Sequence, residues 1–224
     1  STDICCLGED TTADTGKQSH RRGAHTKGQH CPGDFGNGTL ENNQKVSPTS
    51  PEKPESAYGK AKLQAGKESR QLCQKYGIRH NWCRILSVYG PGDAPYTMVM
   101  STLLKMLKNE DCKFTPAEQQ WDYIFSRDAG KALLAVADNG VDGEIYTIGS
   151  GKTLLLKEYI LQMVKATDTK GNCFFGAIEY YPNQPMYLCA DINNLVNDTG
   201  FRPETEFRDG IEKTVKYIKE NNLV

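Results

Sequence analysis

From Ser56 to Lys165 the chain changes repeatedly from helical to strand patterning, and that order confines the architectures open to it. Ser56-Ala57-Tyr58 opens a run rich in Ala, Lys, Gln and Glu that reaches Tyr76 and stops at Gly77, the composition and stop signal of a helix. Residues 78–88 carry a strand pattern closed by Tyr89-Gly90-Pro91-Gly92. Met98 to Leu107 is amphipathic with helical spacing, Trp121 to Phe125 is a short apolar run, and Asp128 to Ala137 is again helical. A strand over Glu144 to Ile148 and a helix over Leu155 to Lys165 follow. Strands separated by helices need crossover connections, so the pattern predicts an α/β fold with a mainly parallel sheet. The tail reads as a short helix after Asp191, a turn at Gly200-Phe201-Arg202-Pro203 and a closing helix from Phe207 to Asn221.

The first 34 residues do not share this character. Ile4 and Leu7 are their only branched aliphatics, and the remainder is crowded with Gly, Thr, His, Arg and Lys, so no buried strand is predicted there. Residues 37–55, with Pro48, Pro51 and Pro54, read as a long ordered loop. At 224 residues the chain suffices for one sizeable domain with a small appendage. Lys plus Arg at 27 against Asp plus Glu at 28 leaves no basic field to attract nucleic acid or a membrane surface, which favours a small-molecule partner. No apolar run approaches the roughly 20 residues that span a bilayer, and Ser1-Thr2-Asp3 has no signal-peptide shape, so the chain reads as cytoplasmic. In that compartment Cys73, Cys83, Cys112, Cys173 and Cys189 are reduced, small core residues. His20, His25, His30 and Cys31 are residue types that zinc prefers, but a spacing of five turns successive histidines away from one another on a helix and no Cys-x-x-Cys closes a site, so no metal is expected.

Tyr58 and Lys62 stand four residues apart at the start of the first helix, so their side chains leave from one face and can meet one ligand. A phenol with an ordinary pKa near 10 is too weakly acidic to act as a base at neutral pH, and an adjacent ammonium lowers that pKa by favouring the phenolate. Tyr58 thereby becomes a candidate proton donor and acceptor, with Lys62 as its tuner. The same spacing also occurs on solvated helix faces, so the pair alone does not identify an active site.

The surroundings of the pair carry more. Ser56-Ala57-Tyr58-Gly59-Lys60-Ala61-Lys62 resembles the active-site helix start of the extended short-chain dehydrogenase/reductase family, nicotinamide enzymes that epimerise, dehydrate or reduce nucleotide-linked sugars. Arg84-Ile85-Leu86-Ser87-Val88-Tyr89-Gly90-Pro91-Gly92 is similar to the family's Arg-x-x-x-Val-Tyr-Gly-Pro-Gly segment. Trp121-Asp122-Tyr123-Ile124-Phe125, Tyr146-Thr147-Ile148-Gly149-Ser150-Gly151, Ala190-Asp191 and Thr199-Gly200-Phe201-Arg202-Pro203 resemble further signatures in the family's order, and the likeness covers residues 35–224. It implies part of a doubly wound, Rossmann-type parallel sheet with a small C-terminal substrate-binding lobe. It also implies NAD or NADP as cofactor, a nucleotide sugar as substrate and a homodimer. Tyr58 and Lys62 would then be catalytic and touch the nicotinamide and its ribose, Leu86 and Val88 would line the nicotinamide pocket, and Ser87 would face substrate.

The chain departs from the family in three places. The Gly-x-x-Gly-x-x-Gly turn that receives the cofactor pyrophosphate is missing: Gly23, Gly28, Gly33 and Gly36 follow no strand and open no amphipathic helix, and residues 1–34 read as a misread or truncated remnant of the glycine-motif half. If Phe35-Gly36 is the aromatic-glycine pair, Cys31 stands where the family has Ser or Thr, and Pro32-Gly33 stand where its dehydratases have Asp-Glu, so epimerisation or reduction is favoured over dehydration. The two arginines that clamp the diphosphate are replaced by Trp121 and Tyr181, which can stack on a base or sugar, and Arg127 is the candidate substitute for the missing charge. These losses leave a rival reading, a binding protein that has lost its cofactor half. Gly151-Lys152-Thr153 ends like a phosphate-binding loop, but Tyr146 stands where its first glycine belongs.

Overall fold

The computed structural model describes residues 5–7, 44–54, 56–182 and 184–224. Strand β1 (Cys5–Leu7) precedes helix α1 (Ala57–Tyr76), after which come β2 (Trp82–Ile85), β3 (Ser87–Tyr89), α2 (Met98–Leu107), β4 (Cys112–Lys113), β5 (Gln120–Trp121), β6 (Tyr123–Phe125) and α3 (Ser126–Asn139). The second half runs β7 (Ile145–Ile148), β8 (Leu154–Leu155), α4 (Leu156–Thr167), β9 (Cys173–Phe174), β10 (Tyr187–Leu188), α5 (Asn193–Thr199) and α6 (Phe207–Glu220). β1, β2 and β7 form one parallel sheet in that order, β3 pairs with β6 and β4 with β9 in parallel, and β10-β5-β8 is mixed. This is the α/β architecture that the alternation predicts. Among the described residues no helix is long and apolar enough to cross a membrane.

Three differences from the sequence reading have local causes. The strand predicted over 78–88 is two strands, because Leu86 donates the last hydrogen bond of the β2–β7 ladder, to Ile148 O at 2.9 Å, and the next residue hands the chain to β6. The apolar run at 121–125 is likewise divided, at Asp122, whose side chain turns inward (below). Cys5–Leu7 pairs in parallel with Trp82–Arg84, where no buried strand is predicted: Cys5-Cys6-Leu7 is a three-residue apolar run, too short to show in the composition of the first 34 residues. His20, His25, His30, Cys31, Phe35 and Gly36 lie outside the described residues.

Two apolar clusters carry the fold. Leu103 and Met106 of α2, Tyr159, Ile160 and Met163 of α4 and Ile211 and Ile218 of α6 form one. Cys83, Ile124, Ala132, Val136, Tyr146, Ile148 and Leu195 form the other, which seats α3 and α5 on the β2–β7 sheet. Cys83, Cys112 and Cys189 are buried, Cys73 and Cys173 half-buried, and all five are free thiols. His80 is enclosed just before β2, its Nε2 3.0 Å from Ser69 Oγ and its N–H 2.8 Å from the Asp142 carboxylate. Burial, then the Arg70 guanidinium, lowers its pKa against the opposing pull of Asp142. A lowered histidine pKa favours the neutral ring in the fold, so its contribution to stability is full above the unfolded value near 6.5 and is lost as pH falls below it. The thermal midpoint should therefore drop between about pH 7 and about pH 5, with a shallower slope in His80→Gln, and equal slopes in the two proteins would refute this account.

Candidate active site

Ser56 begins α1 by accepting the Gly59 N–H on its hydroxyl at 2.9 Å, and α1 stops at Gly77, whose left-handed backbone (φ +65°) closes the last turn onto Cys73 and Gln74. Within this capped first turn Tyr58 and Lys62 share a face, with Lys62 Nζ 5.3 Å from the centroid of the Tyr58 ring. Both side chains are half-buried. A cation held over a phenol ring is favourable in itself. Two deeply buried phenols, Tyr89 and Tyr159, are unsuited to proton transfer. Burial pushes the pKa of Tyr89 and of Tyr159 far above the ordinary phenol value, and each hydroxyl is spent on a carbonyl, Tyr89 on Phe207 at 3.2 Å and Tyr159 on Trp121 at 2.9 Å.

The residues assigned to substrate fall into two groups. Ser87 and Trp121 come together: the indole Nε1–H donates to the Ser87 hydroxyl at 2.7 Å, and both are buried at the junction of β3 and β5. Leu86, buried, and Val88, half-buried, bracket Ser87 at the strand end. Arg127 lies apart, exposed on the first turn of α3, and no ion pair among the described residues involves it. Tyr181 is exposed at 38%.

Asp122, which was not among the candidate site residues, organises the turns around the strand ends. It is fully buried and accepts four hydrogen bonds: from Ser150 N at 2.8 Å, Ser150 Oγ at 2.6 Å, Gly151 N at 3.0 Å and Ala190 N at 3.0 Å. Burial raises its pKa, and the four donors oppose that rise. Gly149 makes the arrangement possible, since a Cβ there would lie 2.5 Å from the Ala190 side chain and 2.8 Å from the Asp122 carboxylate. Three separate sequence signatures thus converge on one carboxylate. A charged residue inside the apolar run 121–125 was the signal available for it.

The same contacts decide what part of a dinucleotide the described residues suit. The Ser150 and Gly151 N–H groups, in the one turn resembling a phosphate loop, point at Asp122 and cannot cradle an anion. Among the described residues no cluster of His, Cys, Asp or Glu suits a metal ion.

Comparison with known proteins gives the family and the fold. Residues 33–149 match the model of the NAD dependent epimerase/dehydratase family. CDP-abequose synthase of Salmonella typhimurium is 32% identical over 141 residues, 60% of this chain and 47% of that protein. Human dTDP-D-glucose 4,6-dehydratase is 24% identical over 179 residues, 77% of this chain and 51% of that one. The chain spans about half the length of these curated relatives. Among solved structures, RMD from Pseudomonas aeruginosa complexed with NADPH superposes with a TM-score of 0.75 at 16% identity, over 85% of this chain and 65% of that one. UDP-glucose 4-epimerase from Thermotoga maritima with UDP-glucose gives 0.73 at 23% identity, over 85% and 62%. At such identities the two structures establish a shared fold. The match across more than half of the sequence, on the strands and turns that carry the site, establishes that the chain belongs to the NAD dependent epimerase/dehydratase family.

Proposed function

We propose that residues 35–224 are the catalytic and substrate-binding part of an NAD(P)-dependent epimerase or reductase acting on a nucleotide-activated sugar. The observation that carries this reading is the Lys62 ammonium over the Tyr58 ring on a capped helix start. Tyr58 takes the proton of a sugar hydroxyl and returns one to the same oxygen, and Lys62 favours the phenolate form that makes the first step possible at neutral pH. The nicotinamide, when bound, supplies hydride transfer. Lys62 and Tyr58 hold the ribose beside it, while Leu86 and Val88 keep that end of the pocket apolar and Ser87 with Trp121 forms the floor on which the sugar rests. Exposed Arg127 is the cation available to a diphosphate.

A dehydratase is the second reading, favoured by relatives bearing that name. The positions that separate the two reactions, 31–33, lie outside the described residues. We also propose a homodimer built on α1, because that helix buries only Gly59 and leaves Leu72 and Tyr76 exposed at 57% and 64%.

The test is full-length protein incubated with UDP-, dTDP- and CDP-sugars, 4-keto sugars among them, and with NAD or NADP in both oxidised and reduced form, with products followed by NMR. Epimerisation leaves mass and cofactor unchanged, reduction consumes reduced cofactor mole for mole, and absence of both turnover and nicotinamide binding would overturn the proposal. In this enzyme Lys62→Met should weaken cofactor binding and move the onset of activity to higher pH, since the charge that stabilises the phenolate is lost. A pH–rate profile identical to the parent's would count against that role.

A further inference from the structure

Arg84, at the third residue of β2, is a guanidinium only 7% exposed. Its Nη1 donates to the carbonyls of Ser47 and Pro48 at 3.4 and 3.2 Å, and its Nη2 pairs with the Glu52 carboxylate. All three acceptors belong to the segment that delivers the chain to Ser56 and α1. The other end of that segment is pinned by main chain: Val46 N donates to Cys189 O and Val46 O accepts from Asp191 N, both at 2.7 Å. Strand alternation puts Arg84 on the same face as Trp82, whose ring packs so closely under Gly66 of α1 that a Cβ there would lie 2.9 Å from it.

The first turns of α1 bury no side chain fully, so apolar packing does not set where that helix begins. A buried ion pair contributes little net stability over an apolar replacement, but a guanidinium with several acceptors is strongly directional. We propose that Arg84 and Glu52 are a positioning pair: they lock the 47–52 segment to β2 and so fix the entrance of α1, and with it Tyr58, relative to the strand end at Leu86–Val88. The proposal rests on the reading of Tyr58 as the acid/base residue. Neither Arg84 nor Glu52 touches substrate in it.

Glu52→Gln tests it, since Glu52 is 37% exposed and the change keeps the shape while removing the charge. In the full-length protein, with NAD or NADP and UDP-glucose or dTDP-glucose as probes, kcat should fall about 10- to 100-fold while KM for cofactor and sugar changes less than about threefold. In the same protein the amides of Gly59 to Lys62 should exchange about tenfold faster, with exchange in α2 and α4 unchanged. Arg84→Lys, which keeps the charge without the fork, should lie between Glu52→Gln and the parent in both measurements. Parent-like exchange at Gly59 to Lys62, or a loss of kcat matched by faster exchange throughout, overturns the proposal. Tyr58→Phe assayed alongside separates the two readings: if it retains turnover both fall, and if it is inactive while Glu52→Gln has the parent kcat, only the positioning role falls.

Discussion

Turnover in the full-length protein should fall by about 10²- to 10⁴-fold in Tyr58→Phe, the range that a positioned general acid/base contributes. The change removes one oxygen and leaves the ring, so the Lys62 contact over the ring face and the Ser56 cap remain. Folding and cofactor binding should therefore stay close to the parent's, and the loss should appear equally in kcat and kcat/KM. The buried phenols offer no replacement: burial raises the pKa of Tyr89, Tyr146 and Tyr159, and their hydroxyls are committed to the Phe207 carbonyl, the Asp198 carboxylate and the Trp121 carbonyl. Steady-state kinetics on variant and parent, with cofactor affinity measured separately, decide the matter. A variant within a few-fold of the parent rate would remove Tyr58 from the mechanism.

The second large effect concerns stability. Asp122→Ala strips the acceptor from the N–H groups of Ser150, Gly151 and Ala190, of which Ala190 is fully buried and Ser150 and Gly151 are half-buried. The Ser150 hydroxyl has an alternative in Lys152 O at 3.1 Å, but the three amides have none in the present geometry. An orphaned buried donor costs about 1–3 kcal/mol; the Ala190 amide bears that cost in full and the half-buried Ser150 and Gly151 amides a part of it, against a total stability of about 5–15 kcal/mol. Relief of the burial penalty on the carboxylate, the same penalty that raises its pKa, offsets part of this. A net loss of about 2–4 kcal/mol is expected in urea unfolding, with Asp122→Asn intermediate because one carbonyl oxygen still accepts. A loss under about 1 kcal/mol would mean that the turns around Gly149 and Ala190 are held by something other than this carboxylate.

Much of this protein can be read from local patterns. Helix α2 appears where its apolar spacing places it, and α3, α4 and α6 differ from expectation by two residues or fewer at their ends, because periodicity and caps are properties of neighbouring residues. The Tyr58–Lys62 pair is legible for the same reason: four residues on a helix put two side chains on one face whatever surrounds them. The two-residue strands β4, β8, β9 and β10 left no readable pattern, since two residues are too few to show alternation.

What the sequence by itself determined is therefore the α/β order, the helix starts and stops, and the facing of Tyr58 and Lys62. Only the tertiary structure decided that residues 82–89 serve two sheets, that Ser87 meets Trp121, that Asp122 gathers Ser150, Gly151 and Ala190, and that Arg84 seizes the segment before α1. The partners of Asp122 lie 28 to 68 residues away along the chain. Hydrogen bonds across such separations depend on how layers pack, and a buried charge chooses its donors only once water has been excluded around it.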